Sequence, residues 1–267
     1  SSDLTRLQSF IYQLSRRQPE LLRKFLLSRV RAQLGGSSDM KHFTPSYNPW
    51  DQRLCAVPSG DMFKAIRAGK ASVVTDQIDR FDETGIVLKS GQHLDADLII
   101  TATGLSIQIL GGAQVYVDGQ AVDPGQVMAY QSVMLEDIPN AAMVFGYTNS
   151  SWTLKADMVS HYVCQLLNHM DRHGYSVVIP RDRDDCITED TILGKAMSSG
   201  YIQRAQHTLP KQGSKGPWVV NNDYFKDKAL YAKVNFEVPE LEFIKSSKPS
   251  GTGKKRGLRG LISAVTG

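Results

Sequence analysis

The stretch from Asp95 to Gly104, DADLIITATG, decides how this sequence folds. Leu98, Ile99 and Ile100 make a continuous apolar run, the pattern of a strand covered on both faces rather than of one with a wet side. The run stops at Thr101-Ala102-Thr103-Gly104, small residues that let a ligand approach the backbone at the end of a parallel strand. Upstream, SVVT at 72–75 predicts another short buried strand. Between the two, QIDRFDETGIVLKSG at 77–91 predicts a pair of alternating segments folded about the Asp82–Gly85 turn. A helix, a buried strand, a hairpin and a second buried strand, in that order, indicate the α/β class.

Toward the start of the chain, Leu4 to Leu34 reads as helix interrupted at Pro19, because proline tolerates a first helical turn but not an interior one. Leu21, Leu22, Phe25, Leu26, Val30 and Leu34 then form an apolar stripe with Arg23, Lys24, Arg29 and Arg31 largely off it, and Gly35-Gly36 ends the helix. An aromatic- and proline-rich loop covers 41–61. The short helix MFKAIRAG (62–69) closes at Gly69. Beyond Gly104 the glycine-dotted 105–137 predicts a β-rich excursion around Asp118-Gly119. NAAMVFGYTNSS (140–151) predicts a buried strand running into a helix start. From about Ser151 to His173, Leu154, Met158, Tyr162, Leu166 and Met170 recur every four residues, and Gly174 terminates that helix.

Charge is unevenly placed. Residues 1–35 hold seven Lys/Arg against two acids and residues 245–267 hold six against none, so an acidic middle separates two basic ends. That middle offers no basic groove with interleaved aromatics, so no nucleic-acid partner is expected. No run of about 18 apolar residues is present to span a bilayer and the first residues lack the apolar core of a signal peptide, so a cytoplasmic setting is the expectation. The basic amphipathic stretch 20–34 and the basic tail leave a weak, peripheral association with the plasma-membrane surface as an open reading. Cys55, Cys164 and Cys186 are widely spaced and form no metal pattern with the six histidines. His169 and His173 lack a third ligand, so no metal is expected.

Four ordered motifs carry a family resemblance: HFTPSYNPWDQRLCAVPSGDMFKAIRAGKASVVTDQI (42–78), ADLIITATGL (96–105), IPNAAMVFGYTNSSWTLKADMVSHYVCQLLNHM (138–170) and GYIQRAQHTLPKQGSKGPW (200–218). Together they resemble the Baeyer-Villiger branch of the flavin monooxygenases, and most of all its ethionamide-activating subgroup. The likeness covers nearly the whole chain up to about Lys245. It implies the C-terminal part of a Rossmann-like flavoprotein with two dinucleotide-binding domains, incomplete at its N-terminal side. It also implies the cofactors FAD and NADPH and a reaction with O2, inserting an oxygen atom beside a ketone or transferring it to sulfur or nitrogen of a thioether- or thioamide-like substrate. The family's phosphate-binding GxGxxG fingerprints are not in this sequence, and Gly251 to Gly257 follows no strand. The expected organisation is a helical segment over 1–36, the remainder of an NADPH-binding domain over 37–110, the C-terminal part of an FAD-binding domain with a substrate-side segment over 111–245, and a basic disordered tail over 246–267.

The resemblance assigns Arg53, in WDQRL, as the active-site cation. A guanidinium stays charged and stabilises negative charge that develops in a water-poor site. Asp51 and Gln52 flank it and are read as positioning it or NADPH. Thr101, Ala102, Thr103 and Gly104 are placed at the junction of the cofactor domains. Asn149, Ser150, Trp152 and Thr153 are placed beside the flavin ring, where free N–H groups at a helix start attract negative charge. Lys211, near Tyr201 and Gln212, is placed on the NADP and substrate side. A disulfide reductase is disfavoured because no two cysteines are close. An inactive fragment, prone to self-association through uncovered sheet edges, is the rival reading.

Overall fold

The computed structural model describes residues 2–52, 54–55, 57–194 and 198–245. Arg53 and the tail 246–267 lie outside the described residues.

Two helices open the chain, α1 (Ser2–Arg17) and α2 (Pro19–Leu34), separated by Gln18 alone. Proline in the first turn of α2 and Gly35 in the left-handed region at its end give the boundaries the sequence predicts. A 3-10 turn at Met40–Phe43, with Asp39 accepting from the Lys41 amide, leads through the aromatic loop to α3 (Asp61–Arg67). Lys70 N–H bonds Ala65 O and Gly69 N–H bonds Ile66 O, the paired closure of a Schellman motif one residue beyond the cap. Leu34, Phe63 and Ile66 form the small core beneath these helices.

Strands β1 (Ile78–Asp82), β2 (Gly85–Leu88) and β3 (His93–Asp95) make an antiparallel sheet in that order, with Asp82 opposite Gly85 as the turn residues demand. A second hairpin, β4 (Val115–Val117) with β5 (Gln120–Val122), turns at Asp118-Gly119. Both turn residues have positive φ, 49° and 79°, the geometry of a tight hairpin turn, which glycine adopts freely and aspartate tolerates. The short pair β6 (Ala129–Tyr130) and β7 (Met134–Leu135) follows. Next come helix α4 (Trp152–His173), ended by Gly174, and strands β8 (Tyr175–Pro180) and β9 (Ile187–Thr191). After α5 (Gly200–Ala205), β10 (Lys211–Gly213) pairs antiparallel with β9. Finally α6 (Tyr224–Tyr231) precedes β11 (Leu241–Lys245), which returns to pair with β8.

The main core lies between α4 and this returning pair. Val159, Tyr162, Leu166 and Met170 of α4 pack with Val178, Leu241, Tyr231, Trp218 and Tyr130. Leu167, beside the predicted stripe, faces solvent, while Lys155 is buried one turn from the start of the helix.

The mixed α/β class holds, but the buried parallel strands do not appear among the described residues. Residues 72–75 and 96–108 belong to no helix or strand. Leu98 and Ile100 are 77% and 81% exposed, the reverse of the expectation from their apolar run. The physical reason is pairing. An apolar run becomes a buried strand only with hydrogen-bonded neighbours on its edges and layers on its faces, and no described segment supplies them. Residues 141–146 are intermediate: Ala141, Met143 and Phe145 pack inward while Val144 is exposed, so one face of this segment is covered. Among the described residues no helix is long and apolar enough to cross a membrane.

Candidate functional site

Two segments named by the sequence come together through one helix. The first is the turn at 48–52. Asp51 accepts from the backbone N–H of Asn48 through Oδ2 (3.1 Å) and from Arg16 Nη1 through Oδ1 (2.9 Å). Its carbonyl accepts from the amide and the hydroxyl of Ser198, at 2.7 and 3.0 Å. Asp51 therefore ties the loop to α1 and to a segment about 150 residues downstream, immediately before the position of Arg53. Trp50 has φ of 69°, a conformation costly for a bulky L residue, of the kind that marks a backbone over-determined by its surroundings. Its indole meets Tyr12 of α1 edge-on at 5.7 Å between centroids, and its Nε1 is buried without a hydrogen-bond partner among the described residues. Gln52, with Arg23, Leu26, Tyr47 and Trp50, lines an apolar cavity of about 360 Å³ between α2 and this loop.

The second turn runs from Gly146 into the start of α4. Asn149 and Ser150 are buried. Asn149 donates through Nδ2 to Asn222 O (3.2 Å), and its own carbonyl accepts from Gln8 Nε2 of α1 (3.0 Å). Thr148 N–H bonds Asn222 Oδ1, and Asn222 Nδ2 returns a bond to the Thr148 hydroxyl. Ser151, at the N-cap, makes no side-chain bond to the helix amides; its hydroxyl pairs with that of Thr153 at 2.7 Å. The first-turn N–H groups of a 22-residue helix thus keep their pull on negative charge. Trp152 is exposed and lies across Gly146, where an added Cβ would stand 2.2 Å from the indole ring. Gly146 is therefore required by that close approach.

Beneath the second turn lies a cluster that the sequence does not announce. Lys155 Nζ donates to Asp227 Oδ2 at 2.7 Å, and Tyr147 donates its hydroxyl to the same oxygen at 2.7 Å, all three side chains being buried. Burial pushes the Lys155 pKa down, opposed by the Asp227 carboxylate. Burial first and the Asp227 contact second push the Tyr147 pKa up. The ammonium also sits over the Tyr231 ring, 4.8 Å from its centroid. This pair fastens α4 to α6, and Tyr147 ties it to the turn that carries Asn149 and Ser150. The only cue in the sequence is a lysine next to the apolar stripe of α4.

α1 joins the two turns. Gln8, Tyr12 and Arg16, spaced by four and so aligned on one face, reach Asn149, Trp50 and Asp51 in turn. A polar cavity of about 260 Å³ opens beside them, lined by Tyr12, Leu193, Gln212, Asn222 and Lys226. The remaining predicted residues are elsewhere. Thr101, Ala102, Thr103 and Gly104 are exposed and lie outside any strand, and Gly104 (φ 106°) has open space on its Cβ side. Lys211 turns its ammonium to Glu189 (3.2 Å to Oε2) while its backbone N–H bonds Val127 O. No described hydrogen bond, ion pair or ring contact links either group to the two turns.

Comparison with known proteins gives the setting. The chain is 55% identical over 240 residues to the probable FAD-binding monooxygenase AlmA of Acinetobacter baylyi, covering 90% of this chain and 48% of that protein. It is 51% identical over 233 residues to the putative FAD-containing monooxygenase MymA of Mycobacterium tuberculosis (87% and 46%), and 48% identical over 245 residues to the FAD-containing monooxygenase EthA of the same organism (91% and 50%). No family profile and no solved structure matches the chain. The chain spans about half the length of these curated relatives. Over that half, the protein is a homologue of the FAD-containing monooxygenases.

Proposed function

We propose that this chain forms the part of an FAD- and NADPH-dependent monooxygenase that surrounds the reacting end of the flavin, in an enzyme of the Baeyer-Villiger type. The observation that carries the reading is the bridge made by α1 between the turn preceding Arg53 and the turn at the start of α4. In this reading Asn149, Ser150 and the first amides of α4 hold the electron-rich edge of the isoalloxazine, with Trp152 and Thr153 at its border. Arg53 stabilises the negative charge that develops on substrate oxygen, and Asp51 positions it. Thr101–Gly104 and Lys211 serve the nicotinamide cofactor. Bound FAD, reduced by NADPH, would supply the activation of O2. The substrate is a ketone or a thioether- or thioamide-like compound.

The residues fit one part of the cofactor and not another. The uncapped helix start and the open backbone at Gly104 suit a ring and its approach, whereas the sequence holds no GxGxxG loop to cradle the dinucleotide phosphates. The exposed run at Leu98 and Ile100 agrees with a chain that needs further strands for activity.

Two measurements test this. After incubation with excess FAD and desalting, the purified chain is expected to be colourless; flavin retained in stoichiometric amount would show that the phosphate loops are dispensable. Grafted in place of the corresponding half of the Acinetobacter relative, the chain is expected to support ketone-dependent NADPH oxidation. Arg53→Ala in that graft should lower the rate by about 100–1000-fold. A soluble, flavin-loaded graft with no such oxidation, or one indifferent to Arg53→Ala, would refute the assignment.

A further inference from the structure

α1 is amphipathic in the opposite sense from a helix that packs its apolar face on a core. Its inward face is polar: Gln8, Tyr12 and Arg16 make the contacts described above, and Ser15 is buried. Its outward face carries Leu4, Leu7 and Phe10, exposed by 71%, 53% and 64%. These positions, three apart, form one stripe along the helix. Arg6 and Arg17 project beside the Phe10 flank, and both are exposed. Asp3, the acid of this helix, is paired with Arg6. α2 repeats the arrangement, with exposed Leu21 and Phe25 one turn apart and exposed Lys24 and Arg29 on either side of them. Large apolar side chains standing in solvent and flanked by cations are the composition of a helix that lies in a lipid interface.

Charge separates this surface from the exposed apolar run at Leu98 and Ile100. Leu98 and Ile100 follow Asp95 and Asp97, acids that an anionic surface would repel. The short helix α6 also sets exposed leucine and phenylalanine beside lysines, but Phe225 and Leu230 are only 40% exposed, against 53–71% for the five apolar residues of α1 and α2.

We infer that α1 and α2 seat the protein on an anionic lipid surface, with Leu4, Leu7 and Phe10 entering the headgroup–acyl boundary and Arg6, Arg17, Lys24 and Arg29 meeting the lipid phosphates. This inference does not depend on the monooxygenase reading. It places the 48–52 and 147–150 turns on the side of α1 that faces away from the lipid.

The test is sedimentation of the full chain with vesicles of phosphatidylcholine alone and of an equal mixture of phosphatidylcholine and phosphatidylglycerol, at low and high sodium chloride. Binding to the mixed vesicles, weakened several-fold by salt and by omission of phosphatidylglycerol, is expected. The exposed double substitution Leu7→Gln/Phe10→Gln should lower the partition coefficient by roughly 100-fold without changing the circular dichroism spectrum. Arg17→Glu should reproduce the loss of charge-dependent binding alone. The inference fails if neither vesicle binds, or if the double substitution leaves binding intact, which would assign it to the basic tail. It fails equally if sedimentation velocity without lipid shows a dimer that the double substitution dissolves, which would make the stripe a contact between two copies of the chain.

Discussion

At the scale of single residues, Lys155 is the side chain whose removal should be felt most. Lys155→Met leaves the Asp227 carboxylate buried with Tyr147 as its remaining donor, and breaking a buried pair by removing one partner costs about 3–5 kcal/mol. The urea midpoint should fall accordingly, while Lys155→Met/Asp227→Asn, which keeps an acceptor for Tyr147, should recover about half of the loss. Full additivity of the two substitutions would contradict the pairing. A second prediction concerns His93, whose ring contacts Asp82 (3.1 Å) and Asp95 (2.9 Å). The hydrogen bond to Asp82 holds the imidazole above its ordinary 6.5, and the Asp82 carboxyl is pulled down to about 2 by the same contact and by the Thr84 amide. Protonated His93 therefore stabilises the β1–β2–β3 sheet below about pH 6.5, and this is lost as pH rises through the folded value. The Asp82 contribution is complete above about pH 4 and lost as pH falls through about 2. Proton NMR titration of His93 should show the upward shift in the wild type and its disappearance in Asp82→Asn. These partners were hidden in the sequence for a plain reason: Lys155 and Asp227 stand 72 residues apart, and Arg16 and Asp51 stand 35 apart. Periodicity reports which face a residue occupies, not what it meets there.

At the scale of elements, the turn before α4 depends on Gly146. A methyl group there would stand 2.2 Å from the Trp152 ring, so Gly146→Ala should displace Trp152, cost about 1–3 kcal/mol and shift the tryptophan emission spectrum. An unchanged spectrum and midpoint would show that the ring has room to move. Elements specified by neighbours in sequence were legible in advance. The four-residue stripe of α4, the break at Pro19 and the turns at Asp82–Gly85 and Asp118-Gly119 each follow from local stereochemistry. Elements that require a distant partner were not. The LIIT run reads as a buried strand because its composition suits one, yet a strand is defined by its neighbours, and here it stays unpaired by any strand and exposed. Of the candidate site, the loop holding Asp51 and the segment entering α4 were visible as local features, whereas their union through α1 was invisible, since Gln8, Tyr12 and Arg16 carry no motif.

At the scale of the whole molecule, exposed Leu98 and Ile100 predict self-association through an uncovered apolar segment. Leu98→Lys/Ile100→Lys should shift sedimentation velocity toward monomer and leave the unfolding midpoint within about 0.5 kcal/mol of wild type, because neither side chain packs. A wild-type chain already monomeric at high concentration would overturn this. The core that holds the fold together lies instead between α4 and the β8–β11 pair, where Tyr162 meets Tyr231 and Phe236 edge-on. The α4 turn is thereby anchored to the most buried part of the molecule, and α1 carries that anchorage across to the Arg53 loop.

The Gln8–Tyr12–Arg16 face makes α1 a ruler. Eight residues at about 1.5 Å each fix roughly 12 Å between the point that touches Asn149 and the point that touches Asp51. A rod of that kind has graduations but no slack. One residue inserted between Tyr12 and Arg16 would swing Arg16 by about 100° and break the register, whereas a change of side chain at Gln13 or Leu14 would leave it intact. The distance between the two turns is thus written in the helical pitch, and any tilt of α1 must reach both ends at once.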